Sequence, residues 1–232
     1  YRRPCRRAPV RRAARDARLS SAGNGAGPIG RTNMMLVEQT PVPAAALPVA
    51  QFRDHVRLGT GFADEGTEDA LLETFLRAAM AAVEAWTGKV LIEREYEWTV
   101  TAWREDDAQA LPVAPVQAIL SLGVLDRADV PAPVDPVDYR LQPDTHRPLI
   151  RSTGGRLPAI PPGGRAVIGF RAGFGPAWSD VPGELGQAVM LLAAYYHEYR
   201  HEKRLGAAAM PYGLSVLVEP WRTMRLLGGG AR

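Results

Sequence analysis

The chain has 232 residues, 46% hydrophobic and 23% charged, which suits a soluble globular protein with one good core or two small ones. Its single cysteine, Cys5, excludes a disulfide framework within the chain and a cysteine-based zinc site, and no apolar run approaches the roughly 18 residues of a membrane-spanning helix. Nine arginines and one acid, Asp16, give residues 1–33 a charge of +8, so a chain total of +3 leaves −5 for residues 34–232. The body is mildly acidic and the basicity sits in one run.

That run, residues 1–33, has almost no large apolar side chains and cannot offset the entropy of ordering. It lacks the apolar core of a secretory signal. Three readings stay open: an arm that binds DNA phosphates, an arginine-rich transit-type segment, or non-native upstream sequence. The last is preferred, with the native start at Met34 or Met35, because the composition changes abruptly there.

Residues 36–47 (LVEQTPVPAAAL) are interrupted by prolines and read as extended. Pro48 fits the first position of a short helix, VAQFRDHVRL, in which Val49, Phe52 and Val56 share an apolar face and Gly59 ends the run. A second helix follows the Gly59-Thr60-Gly61 break. Asp64 or Thr67 is placed to cap it, and Glu68 and Asp69 suit the positive end of its dipole. Leu72, Phe75, Leu76, Ala79, Val83 and Trp86 recur at helical spacing, and Gly88 is a natural stop.

From Val90 the period changes to two. Ile92, Arg94, Tyr96, Trp98 and Val100 face one way, and Glu93, Glu95, Glu97 and Thr99 face the other, as in a strand with an acidic outer face. LPVAPVQAILSLGVLD predicts a strand ending in a turn, 130–136 a Pro-rich loop, and Asp138–Leu141, Pro148–Arg151 and Arg165–Arg171 short strands. Pro182 starts a long helix with Asp180 as its cap. Its buried stripe is Leu185, Val189, Leu192, Ala193 and Tyr196, and Gly206 stops it. An Ala-rich linker then leads to the amphipathic PYGLSVLV and to Glu219-Pro220-Trp221-Arg222.

The end of the long helix carries His197-Glu198-Tyr199-Arg200-His201, a literal H-E-x-x-H. On a helix, histidines four apart share a face and can hold zinc, with the glutamate as general base toward the metal-bound water. The surroundings oppose that chemistry. Arg200 occupies an x position, Glu202-Lys203-Arg204 follow, and positions 204 and 207 are Arg and Ala where the longer zinc-protease pattern needs Gly and His. Glu219 is the only downstream acid for a third ligand, and His55 and His146 lie far upstream. His197, Glu198 and His201 are therefore read as a decoy, with no metal, no cofactor and no catalytic residues. No nucleophile elbow, P-loop or dinucleotide fingerprint occurs in the body.

Residues 48 to about 222 resemble the phage head-tail connector (adaptor) family, found in long-tailed phages and in phage-derived gene transfer agents. The matching segments are VAQFRDHVRL, then EDALLETFLRAAMAAVEAWTGKVL, Leu111-Pro112-Val113-Ala114-Pro115-Val116, and Asp138-Tyr139-Arg140-Leu141. They continue with AVIGFRAGFG, Val181-Pro182, QAVMLLAAYYHEYRHE, and Met210-Pro211-Tyr212-Gly213-Leu214 with Leu217 and Pro220-Trp221-Arg222. His197 falls where the family usually has Tyr, and that departure creates the zinc-like string.

The resemblance implies an α+β fold: a helical core of two N-terminal helices plus a long C-terminal helix, an inserted antiparallel β-rich region, and an extended C-terminal arm. It divides the chain into the extension 1–33 and a connector domain 34–232, with helices in 48–88, β-rich insert in 90–172, long helix in 181–205 and docking arm in 206–232. It implies a structural protein, not an enzyme. This protein would form a ring, expected as a dodecamer, beneath the portal protein at the head-tail junction, after assembly in the bacterial cytoplasm. The ring would extend the DNA channel without sequence-specific binding, contact no membrane, and meet a tail-side stopper or tail-terminator protein. Leu72, Phe75, Ala79 and Val83 are the expected ring-packing residues, and Leu214, Leu217, Pro220, Trp221 and Arg222 the expected portal-docking residues. The alternatives are a zinc metallohydrolase using HEYRH and a DNA-binding module using the N-terminal arginines.

Overall fold

The alternation that begins near Val90 becomes the second strand of a five-stranded antiparallel sheet. The computed structural model describes residues 34–56, 65–200 and 212–222. The Arg-rich run, the Asp64 cap, the Gly59–Gly61 break, His201, the Ala-rich linker and the Gly-rich tail lie outside the described residues.

The strands are β1 (Met34–Glu38), β2 (Arg94–Val100), β3 (Ala108–Ala110), β4 (Val116–Leu125), β5 (Pro131–Pro133), β6 (Tyr139–Gln142), β7 (Leu149–Ser152) and β8 (Arg165–Ala172). The helices are α1 (Val49–His55), α2 (Glu65–Thr87), α3 (Gly183–Glu198) and α4 (Tyr212–Val218). One sheet runs β1-β2-β8-β4-β5 and the other β3-β7-β6, with every pairing within them antiparallel. The fold class is thus mixed α+β.

In β2 the expected face is the buried one: Arg94, Tyr96, Trp98 and Val100 point inward, while Glu97 is exposed. Opposite them in register, Phe170, Ile168 and Ala166 of β8 are completely buried. A core joins these residues to Tyr139 and Ile150 of the smaller sheet. A second core gathers the helices: Phe52 of α1, Leu72, Leu76, Ala79 and Val83 of α2, Leu185, Val189 and Leu192 of α3, and Leu214 and Val218 of α4. Full burial of each such large aliphatic side chain contributes about 1.5–3 kcal/mol, which outweighs the weak intrinsic stability of helices as short as α1 and α4.

Several elements differ from the sequence expectation. α1 ends at His55, with Val56 as its cap residue. Asp180 does not cap α3. Its carboxylate accepts from the Ala177 N–H at 2.9 Å and closes the 3-10 turn before the helix, leaving Pro182 as the residue preceding α3. The Pro-rich loop at 130–136 contains β5, an edge strand, where a residue without an N–H is tolerated. The segment 90–172 does not close its sheet alone, because β1 supplies the outer strand beside β2.

Candidate assembly surfaces

α3 stops at Glu198, and the Tyr199 N–H bonds back to the Tyr195 carbonyl at 3.0 Å. The His197 ring meets Phe75 of α2 edge-on, with centroids 5.8 Å apart. Arg200 Nη1 lies 3.1 Å from His197 Nε2 and donates to the His197 carbonyl at 3.0 Å. Partial burial and then the Arg200 charge hold the imidazole below its ordinary range, with Glu68 pulling the other way. A guanidinium against the ring nitrogen opposes the approach of a second cation. Glu198 is exposed at the helix end. Among the described residues no three His, Cys, Asp or Glu side chains group as metal ligands.

The described histidines are dispersed. His146 Nδ1 lies 3.3 Å from the Nζ of buried Lys89. His55 lines a cavity of about 410 Å³ between α1 and α3, whose other walls include Gln51, Trp178, Gln187 and Met190 and no carboxylate. Such a lining offers no acid–base pair of the kind that proton-transfer chemistry uses.

The expected docking residues divide. Leu214 is buried in the helical core, and Leu217 and Trp221 pack against its margin. Trp221 stands edge-on to Phe174, with centroids 5.6 Å apart. Pro220 and Arg222 are exposed, and Arg222 pairs with Glu219 at 3.1 Å. The arm is therefore partly core in this chain: α4 turns Leu214 and Val218 inward and leaves Gly213, Val216, Pro220 and Arg222 outward.

The expected ring-packing residues need a larger correction. Leu72, Ala79 and Val83 are completely buried within the chain, and Phe75 is half-buried beneath His197. Their stripe faces the neighbouring helices, not another subunit. The outward stripe of α2 is Leu71, Thr74, Ala78, Ala81 and Ala85. The period that identified the helix also marked its buried side; the alanines in the remaining positions carry the outward surface.

Two features escaped the sequence reading. Arg94 sits on the apolar face of β2 with its side chain only 8% exposed, held by Glu84 of α2 and Glu38 of β1. The arginine in an otherwise apolar register was the available signal, since a buried guanidinium needs a carboxylate. The other is β1, exposed along its whole length. The Gly-Phe-Gly turn also has a structural cause. Gly173 has φ +138°, and a Cβ there would fall on the backbone of Ile92 and Glu93. A Cβ on Gly175 would strike the Asp180 side chain. The turn thereby runs tight against the segment leaving α2: Phe174 N–H bonds to Leu91 O at 3.3 Å and Glu93 N–H to Gly175 O at 2.8 Å.

Three solved particle structures contain similar chains. A chain in the neck of an empty gene transfer agent particle, resolved with C6 symmetry, is 55% identical, with a TM-score of 0.76 over 84% of this chain and 98% of that one. A chain in the virion of a native gene transfer agent particle is 55% identical, with a TM-score of 0.73 and the same coverage. One in the neck of a native particle resolved with C12 symmetry is 51% identical, with a TM-score of 0.72, again over 84% and 98%. No protein-family model and no curated protein sequence matches the chain.

A fold shared with gene transfer agent particle chains at this identity defines a structural component of a phage-like particle, located at its head-tail junction. The chain belongs to the head-tail connector family of gene transfer agents.

Proposed function

We propose that the protein is a non-catalytic connector that assembles as a ring of twelve copies beneath the portal, extends the DNA channel and joins the capsid to the tail. The observation that carries this reading is identity of 51–55% over 98% of the matched chains, two of them in particle necks resolved with C6 and C12 symmetry. Residues 34–232 act as the connector domain. The outward side of α4, with Pro220, Arg222 and the free edge of Trp221, docks on the portal protein. A stopper or tail-terminator protein binds the tail-facing side. The slim outward face of α2 allows close packing inside the particle. DNA passes without sequence-specific contact, and the −5 charge of residues 34–232 limits the phosphate binding that would hold it.

The test is assembly. Purified protein mixed with its portal protein is imaged by electron microscopy and weighed by native mass spectrometry. A closed ring of connector subunits on the portal is the expected result. A chain that stays monomeric with portal present, or that carries one tightly held zinc, overturns the reading.

A further inference from the structure

The least satisfied element among the described residues is β1. All five of its residues are exposed, and Met34, Met35, Leu36 and Val37 leave between 38% and 59% of their surface in water. Successive side chains of a strand point to opposite faces, so apolar surface is uncovered on both. β2 pairs with one edge of β1, and among the described residues no strand pairs with the other. A flat apolar edge strand is a template for another chain, and proteins that stay single blunt such edges with charge or proline. Here the first charge arrives only at Glu38.

We propose that β1 forms one half of the seam between neighbouring subunits, and that the opposite edge of the same sheet on the next copy receives it. This rests on the ring reading above. Cyclic symmetry needs two unlike surfaces that meet head to tail around the ring. The strand order β1-β2-β8-β4-β5 places the second surface at the far side of the subunit. There β5 covers β4 at Gly123–Leu125, and the Val134 N–H just after it bonds to the Leu122 carbonyl at 2.9 Å. The half of β4 before Leu122 pairs with no further strand on that edge among the described residues and carries Leu120, 45% exposed, while Val130 beside β5 is 59% exposed.

Polarity agrees with this pairing. The three antiparallel pairings between β1 and β4 make those two strands run in opposite directions. A copy set beside the sheet in the same orientation brings its β1 antiparallel to β4, the pairing mode used throughout the sheet. Register shifts at Val116/Ala118 and Ile119/Ser121 interrupt a regular ladder along β4. The seam is therefore held by the apolar side chains together with a short stretch of backbone pairing.

The experiment uses particles made in the producing cell. Cys5→Ser removes the native thiol, and cysteine pairs drawn from Met35 or Val37 with Ala118 or Leu120 are oxidised in purified particles. A ladder of covalent multimers that neither single-cysteine variant gives is the expected result. Particles that hold the paired variants at the wild-type level but yield only monomer overturn the seam. In a second arm, Leu36→Arg should give a folded monomer by circular dichroism and native mass that is lost from particles; incorporation at the wild-type level overturns the seam as well. Copies per particle, counted by quantitative mass spectrometry, separate the two ideas. A single copy sinks the ring itself, whereas many copies without cross-links sink only the seam.

Discussion

Arg94 donates through Nη2 to Glu84 Oε1 at 2.5 Å and through Nη1 to Glu38 Oε2 at 2.8 Å, so one guanidinium joins α2, β2 and β1. Burial pushes the Glu84 carboxyl above its usual range, against the pull of Arg94 and the Leu91 N–H. Removing one partner of such a pair strands the other charge. Arg94→Ala should destabilise the fold by about 3–5 kcal/mol in urea unfolding, and Arg94→Met with Glu84→Gln by less. The raised carboxyl sets the sign of the pH dependence. The deficit of Arg94→Ala is smallest below the carboxyl's ordinary value of 4.5 and grows as pH rises and the folded state is forced to ionise Glu84.

Gly173→Ala tests the tight turn. Its φ of +138° and the backbone of Ile92 and Glu93 both exclude a side chain. Gly155, with φ +86° and open space around it, isolates the conformational part. Strain alone predicts a loss of about 1–3 kcal/mol for Gly155→Ala, and Gly173→Ala should exceed it because backbone must also move. Thermal midpoints of the two variants, measured together, check the order.

How far the sequence was legible depended on whether the signal was local. α2, α3 and the alternation of β2 were readable because burial repeats at 3.6 or 2 residues along one segment. The need for glycine at 173 was readable as a motif, although its cause, the approach of Glu93, is a contact across the fold. β5 was hidden because proline argues against a strand everywhere except at an edge, and edge position is a property of the sheet. A stripe such as Leu72, Ala79 and Val83 looks the same in sequence whether its partner is another helix or another subunit. Only the structure, which fills that stripe with α1, α3 and α4, separates the two cases.

The C-terminal arm makes opposite predictions for its two sides. Leu214 is 1% exposed within the helical core, so Leu214→Ala should cost about 2–5 kcal/mol of stability. Val216 is exposed, and Val216→Asp should change stability by no more than about 0.5 kcal/mol while weakening portal capture. Chemical denaturation and a pull-down with portal protein measure the two effects. Equal destabilisation by both variants would place Val216 in the core.

Glu198 would be the general base of a zinc site, and here it is an exposed residue in the last turn of α3. Glu198→Ala should leave stability within about 0.5 kcal/mol of wild type and leave particle assembly unchanged. Elemental analysis of the purified wild-type chain should find zinc far below one ion per chain. Equimolar zinc that disappears in His197→Ala would revive the metal reading.

His197 should make the chain mildly acid-sensitive. Its ring is packed edge-on to Phe75 with Arg200 beside Nε2, and both partial burial and that charge keep it neutral to lower pH than in the unfolded chain. As pH falls below the ordinary value of 6.5, the unfolded chain takes up the proton first, so stability present above that value is lost on acidification until the folded state is protonated too. His197→Tyr keeps an aromatic ring against Phe75 and removes the imidazole titration. The variant should match wild type near pH 8 and unfold later than wild type near pH 5. Urea midpoints followed across that range decide the matter, and parallel curves for the two proteins would show that His197 takes no part in the pH response.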